Sequence, residues 1–266
     1  MLLTRLATAL VLAPIIIGVL FYLPVAYGVA FFGLMYLVAA WEWTGFFQCQ
    51  GSMQKAGFVV LTGAVFVLVG LLDARGLGAW VLHLALPAWL LALVWVLRYP
   101  VTIPRWLNAL FGLVIICLAW LAISTLLTRY DRGPQWVLYA FCIVWSADVG
   151  AYFVGRTLGR HKLAPQVSPG KTWEGVAGGM LACSVVGFAG SEWFGVAPAV
   201  LVPLTLLCGM VSIVGDLAVS VFKRSAGLKD SGWILPGHGG ILDRMDSLTA
   251  AGPFLALGLM VVGISD

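Results

Sequence analysis

This chain is short of charge: Asp, Glu, Lys and Arg make up 10% of its 266 residues, where a water-soluble domain carries about a quarter. With 62% of the residues hydrophobic and a mean hydropathy of +1.03, a soluble fold would expose apolar patches well beyond what monomers tolerate. A water-soluble globule is excluded, and so are disorder and a collagen-like repeat. Cysteine is sparse as well. The five present, Cys49, Cys117, Cys142, Cys183 and Cys208, show no paired spacing; they read as small buried hydrophobes and define neither a disulfide scaffold nor a redox motif. No internal repeat and no low-complexity segment is present. The net charge of +4 does not imply nucleic acid, because the basic residues interrupt long apolar segments. The 12 Trp lie near the ends of those segments, as membrane anchors do.

What is abundant is apolar sequence in runs of about 20 residues, the length that crosses a hydrocarbon core as a helix. The expected fold is an all-α polytopic integral membrane protein with about nine transmembrane helices, near residues 4–23, 25–43, 56–72, 79–97, 106–127, 136–155, 175–195, 197–222 and 248–264. The first two are separated only at Leu23-Pro24 and could form one re-entrant element, so eight is the second count. The region around Arg5 looks like the start of a signal peptide, but the apolar run continues through Pro14 without a small-residue cleavage site and reads as a retained anchor. Twelve of the 15 Lys and Arg fall on one side of this topology and three, Arg75, Arg129 and Arg132, on the other. Positive loops stay in the cytoplasm, which assigns the amino terminus there and the carboxyl terminus outside.

The polar residues gather in two cytoplasmic loops of a single membrane domain, 1–266, within blocks near 148–175 and 216–246. Asp148 and Asp216 fall inside expected helices, about 10 Å below the interface. An ionised Asp at that depth costs about 2.5–3.5 kcal/mol, so it faces a cavity, a partner charge or a metal, or forms a helix–helix hydrogen bond. Asp216, Ser220 and Lys223/Arg224 follow one another at helical spacing, as do Asp148, Tyr152 and Arg156. Asp243 and Asp246 are three apart, which on a helix puts both on one face. With an intramembrane Asp they supply the hard oxygens that Mg²⁺ prefers, and Lys223, Arg224, Lys229 and Arg244 lie close by in sequence for phosphate.

Other motifs carry less. Gly170-Lys171-Thr172 resembles the end of a P-loop, but Pro165 stands where the first glycine belongs and no buried strand precedes it, so no Walker A site is expected. His238, between glycines and without a second His or Cys nearby, could contact phosphate, donate a proton or hold the turn. Glu174 could cap the following helix. Ser168-Pro169-Gly170 reads as a shaped turn. Glu42, between Trp41 and Trp43, reads as an interface residue and not as a catalyst.

The stretch from Ser220 to Asp246, SVFKRSAGLKDSGWILPGHGGILDRMD, resembles the signature of the phosphatidate cytidylyltransferases, or CDP-diacylglycerol synthases. Its elements map onto Ser220, Lys223-Arg224, Lys229-Asp230, Pro236, His238-Gly239-Gly240 and Asp243-Arg244-Met245-Asp246. The segment Asp148 to Tyr152, with Gly155-Arg156 and Ser168 to Gly175, is similar to the family's other polar block. The resemblance implies transfer of a cytidylyl group from CTP to phosphatidate, giving CDP-diacylglycerol and pyrophosphate in phospholipid biosynthesis. It also implies Mg²⁺ or another divalent cation on Asp216, Asp243 and Asp246, with Asp148 as a further ligand. Lys171, Lys223, Arg224, Lys229 and Arg244 would then contact phosphates, Arg156 the substrate, and Ser220 and His238 would support them. The expected setting is the inner membrane, with the active site facing the cytoplasm and no nucleic-acid partner; a homodimer is left open. A transporter also carries intramembrane Asp residues, but no repeated halves are found. A CDP-alcohol phosphotransferase would space its Asp pair by four and needs an upstream Asp-Gly-x-x-Ala-Arg element that is missing here.

Overall fold

The computed structural model describes residues 13–49, 51–234 and 239–264. Its elements are α1 (Ala13–Tyr22), α2 (Val25–Trp43), α3 (Ser52–Ala74), α4 (Gly78–Leu82), α5 (Ala85–Leu97), α6 (Arg105–Arg129), α7 (Gly133–Leu158), β1 (Lys162–Ala164), β2 (Ser168–Thr172), α8 (Trp173–Phe194), α9 (Pro198–Ser225) and α10 (Leu242–Val262). Hydrocarbon offers no partner to a backbone N–H or C=O, so the apolar segments close their hydrogen bonds internally as helices. Local chemistry sets the ends. Pro24 and Pro104 precede α2 and α6, and Pro198 opens α9, positions where a missing N–H is tolerated. Gly195 stops α8 in the left-handed region, at φ +70°.

Among the described residues eight helical spans are long and apolar enough to cross a membrane, with α4 and α5 together forming one. They correspond to the second to ninth expected spans. Residues 4–12 of the first lie outside the described residues, and its remainder is α1. The last helix departs most from expectation. It begins at Leu242, six residues before the expected 248, because Asp243, Arg244 and Asp246 form its first turns instead of a solvated loop.

The most enclosed spans are α6 and α10, and α3 is the least enclosed. The aromatic residues are not all boundary anchors: Trp43 and Trp136 are fully buried. Trp43 packs on Phe222 and Phe46 with ring centroids 5.0 Å apart, and Phe222 packs on Phe111 at 5.2 Å. This cluster joins the ends of α2 and α9 to the start of α6. The five cysteines are free, as their spacing implied, and Cys117, Cys183 and Cys208 are buried.

One expected turn is a strand. Ser168–Thr172 pairs antiparallel with Lys162–Ala164, with Lys162 opposite Thr172 and Ala164 opposite Ser168. Val167, at the hairpin tip, is buried against Leu217 and Val221 of α9, which pins the hairpin over that helix. Thr172 then caps α8, its Oγ1 accepting from the Gly175 N–H at 3.1 Å. Glu174 is not the cap. It accepts from His161 Nδ1 at 2.6 Å and from the Arg160 N–H at 3.1 Å, holding the strand's approach to α8.

Candidate active site

The first polar block is built on two helices in close backbone contact, α7 and α8. A Cβ on Gly150 would lie 2.5 Å from the Gly178 carbonyl oxygen, and one on Gly179 would lie 2.7 Å from that of Ala147, so only glycine permits this approach. It puts Asp148, Tyr152 and Arg156 of α7 along a cavity of about 590 Å³, closed on another side by Lys171 and Thr172 of the hairpin. Arg156 donates to the Tyr152 hydroxyl at 2.5 Å and lies over its ring at 5.8 Å. A neighbouring cavity of about 400 Å³ is lined mainly by apolar side chains and shares Leu163, Val176 and Ile213 with the first.

The hairpin delivers Lys171 to α9, where its Nζ lies 2.7 Å from Asp216 Oδ2. Ser220, one turn further along α9, reaches Asp216 Oδ1 at 3.5 Å. Asp246, buried on α10, and Asp148, on α7, both lie close enough to Asp216 to feel its charge. Asp216 of α9 therefore lies within electrostatic range of Asp148 on α7 and, separately, of Asp246 on α10.

Asp243 is engaged elsewhere. Its Oδ1 accepts from Lys223 Nζ at 2.8 Å, and its Oδ2 accepts from the Ser231 and Gly240 N–H groups, each at 2.9 Å. The three-residue spacing does place Asp243 and Asp246 near one helix face, but Asp243 ties Ser231 to Gly240 whereas Asp246 is buried. Among the described residues no three acidic, His or Cys side chains stand in metal-holding geometry. The expected set of Asp148, Asp216, Asp243 and Asp246 is thus not one coordination sphere. By donor chemistry Asp216 and Asp246 still fit a divalent cation such as Mg²⁺, which commonly takes one or two carboxylates and completes its shell with water and phosphate oxygens; a bound cation would also relieve their mutual repulsion.

Of the remaining expected residues, Lys229 and Arg244 are exposed. Arg224, also exposed, donates to the Leu228 carbonyl at 3.5 Å. His238 lies outside the described residues. Glu42 was missed. It is buried, not interfacial, and its carboxylate accepts from Ser231 Oγ and from the Ile241 and Leu242 N–H groups. Its one signal in the sequence is an acid one residue before the end of an otherwise apolar span.

The fold is that of a polytopic helical membrane protein, with Lys171 paired to Asp216 and Lys223 to Asp243. The chain is a member of the cytidylyltransferase family, whose sequence model matches residues 3–262. It is 43% identical over 271 residues to a phosphatidate cytidylyltransferase of Pseudomonas aeruginosa, covering 99% of this chain and 98% of that one. Its identity to the phosphatidate cytidylyltransferase of Haemophilus influenzae is 36%, over 96% of this chain and 98% of the relative. To that of Staphylococcus saprophyticus it is 36%, over 79% and 84%.

Proposed function

We propose that this chain transfers the cytidylyl group of CTP to phosphatidate, releasing pyrophosphate and leaving CDP-diacylglycerol in the membrane. The observation that carries this reading is the Lys171–Asp216 ion pair, with Asp246 within range of the Asp216 charge, beside a cavity lined by Asp148, Arg156 and Lys171 and a second cavity lined mainly by apolar side chains. A phosphate monoester is already an anionic nucleophile, so neither a general base nor a covalent enzyme intermediate is needed. A phosphatidate oxygen attacks the α-phosphorus, the bond from that phosphorus to the bridging oxygen breaks, and pyrophosphate departs with the electron pair. The site's task is alignment and charge neutralisation. Asp216 and Asp246 would hold Mg²⁺ or another divalent cation, with Asp148 within range of Asp216, and the cation would supply part of that neutralisation.

Lys171 leaves Asp216 for a phosphate oxygen, and Ser220 keeps Asp216 oriented. Arg156, steadied by Tyr152, meets the lipid phosphate in the cavity. Lys223 is held by Asp243 near the nucleotide, while Arg224, Lys229 and Arg244 gather the β- and γ-phosphates. The site opens to the cytoplasm from the inner membrane, so CTP arrives from water and phosphatidate from the bilayer. Purified protein given labelled CTP and phosphatidate should form labelled CDP-diacylglycerol and pyrophosphate in equal amounts, and neither product without phosphatidate or after chelation of divalent ions. Pyrophosphate release indifferent to phosphatidate would overturn the reading.

A further inference from the structure

The carboxylate of Glu42 sits 189 to 200 residues away in sequence from the groups it binds. Its Oε2 accepts from Ser231 Oγ at 3.1 Å and from the Leu242 N–H at 2.8 Å, and its Oε1 accepts from the Ile241 N–H at 3.1 Å. Ile241 and Leu242 open α10, whose first N–H groups lack intrahelical partners and which has no side-chain cap from its own N-cap residue. A carboxylate from α2 thus caps α10, where the helix dipole favours negative charge, and through Ser231 it also grips the loop that leads there. The loop backbone is pressed flat against it: a Cβ on Gly232 or on Gly240 would collide with the Glu42 side chain.

The residue next to Glu42 is itself fixed. Trp43 donates to Asn108 Oδ1 at 3.0 Å and packs at a tilt against Phe222, the residue before Lys223. One continuous set of contacts therefore runs from the end of α9, through the end of α2, to the start of α10. It sets where Arg244 and Asp246 stand relative to Lys223 and Asp216, and where the loop carries Lys229.

We infer that Glu42 is a positioning residue for nucleotide binding: it holds Ser231 and the first turn of α10 in register, so that Lys229 and Arg244 meet the triphosphate together. The inference rests on the reaction proposed above. In Glu42→Gln one carboxylate oxygen becomes an NH₂ group, so a donor faces a donor, while side-chain volume is kept. Steady-state kinetics of the full chain in detergent, with CTP and phosphatidate varied separately, reads the effect. The KM for CTP should rise about tenfold or more and kcat should fall about 10- to 100-fold, as expected for misplacement by a fraction of an ångström; the KM for phosphatidate should stay within about twofold. A purely structural role would reduce the folded fraction, and hence the apparent kcat, without moving the KM for CTP. An unshifted KM for CTP therefore overturns the inference. Should Glu42→Gln not fold, Ser231→Ala, which removes one donor outside the spans, decides: a KM for CTP raised severalfold supports the role and an unchanged one overturns it. An inactive wild-type protein in the same assay would instead refute the reaction.

Discussion

Replacing Asp243 by Asn separates a carboxylate that holds the protein together from one that only holds a metal. In the folded chain Asp243 Oδ1 meets the Lys223 ammonium and Oδ2 meets two backbone N–H groups, and the Asp243 and Lys223 side chains are 7% and 12% exposed. An amide has one oxygen. Turned towards the backbone donors, it sets its NH₂ against the lysine; turned towards the lysine, it sets its NH₂ against two N–H groups. Either way a buried donor is left without an acceptor, and breaking one side of such a buried pair costs about 3 kcal/mol or more. For a chain of this size that corresponds to a fall of about 6–12 °C in the thermal midpoint. Thermal unfolding in detergent, followed by intrinsic Trp fluorescence, measures it, and turnover should fall by about 100-fold in parallel as Lys223 loses its place. An Asp243→Asn protein that melts with the wild type while losing all activity would refute this reasoning and return Asp243 to the metal.

The opposite pattern is expected of Asp246→Asn: turnover falls by about 100-fold or more across a Mg²⁺ titration, while the thermal midpoint is unchanged or raised, because an amide of the same volume replaces a buried carboxyl that lies within range of the Asp216 charge. Substituting Ala at Gly150 should lower the midpoint measurably in the same unfolding assay, since its Cβ would press on the Gly178 carbonyl 2.5 Å away and force α7 from α8. A reporter inserted beside Lys162 should be cytoplasmic and one fused after Asp266 external, following the bias of twelve of 15 basic residues to one side; both on the same side would contradict the three spans α8, α9 and α10 that separate them.

Much of this was legible in the chain itself, for physical reasons. Crossing hydrocarbon demands long uninterrupted apolar segments, so composition and run length are enough to place the helices from Val25 to Val262, and the density of the Ser220–Asp246 motif is enough to name the reaction. Spacing along one helix also carries over: Asp216 and Ser220 do meet, as do Tyr152 and Arg156. Tertiary structure alone decided which polar groups find each other across elements. Ser168–Thr172 became a strand because Val167 docks on α9, a contact absent from local turn chemistry. Asp243 and Asp246 are alike in sequence, yet Lys223 and two loop N–H groups hold Asp243, while Asp246 lies within range of the Asp216 charge. Glu42 had the character of a boundary residue because its partners lie some 200 residues further on, and no periodicity encodes a hydrogen bond made between two helices only once the bundle has closed.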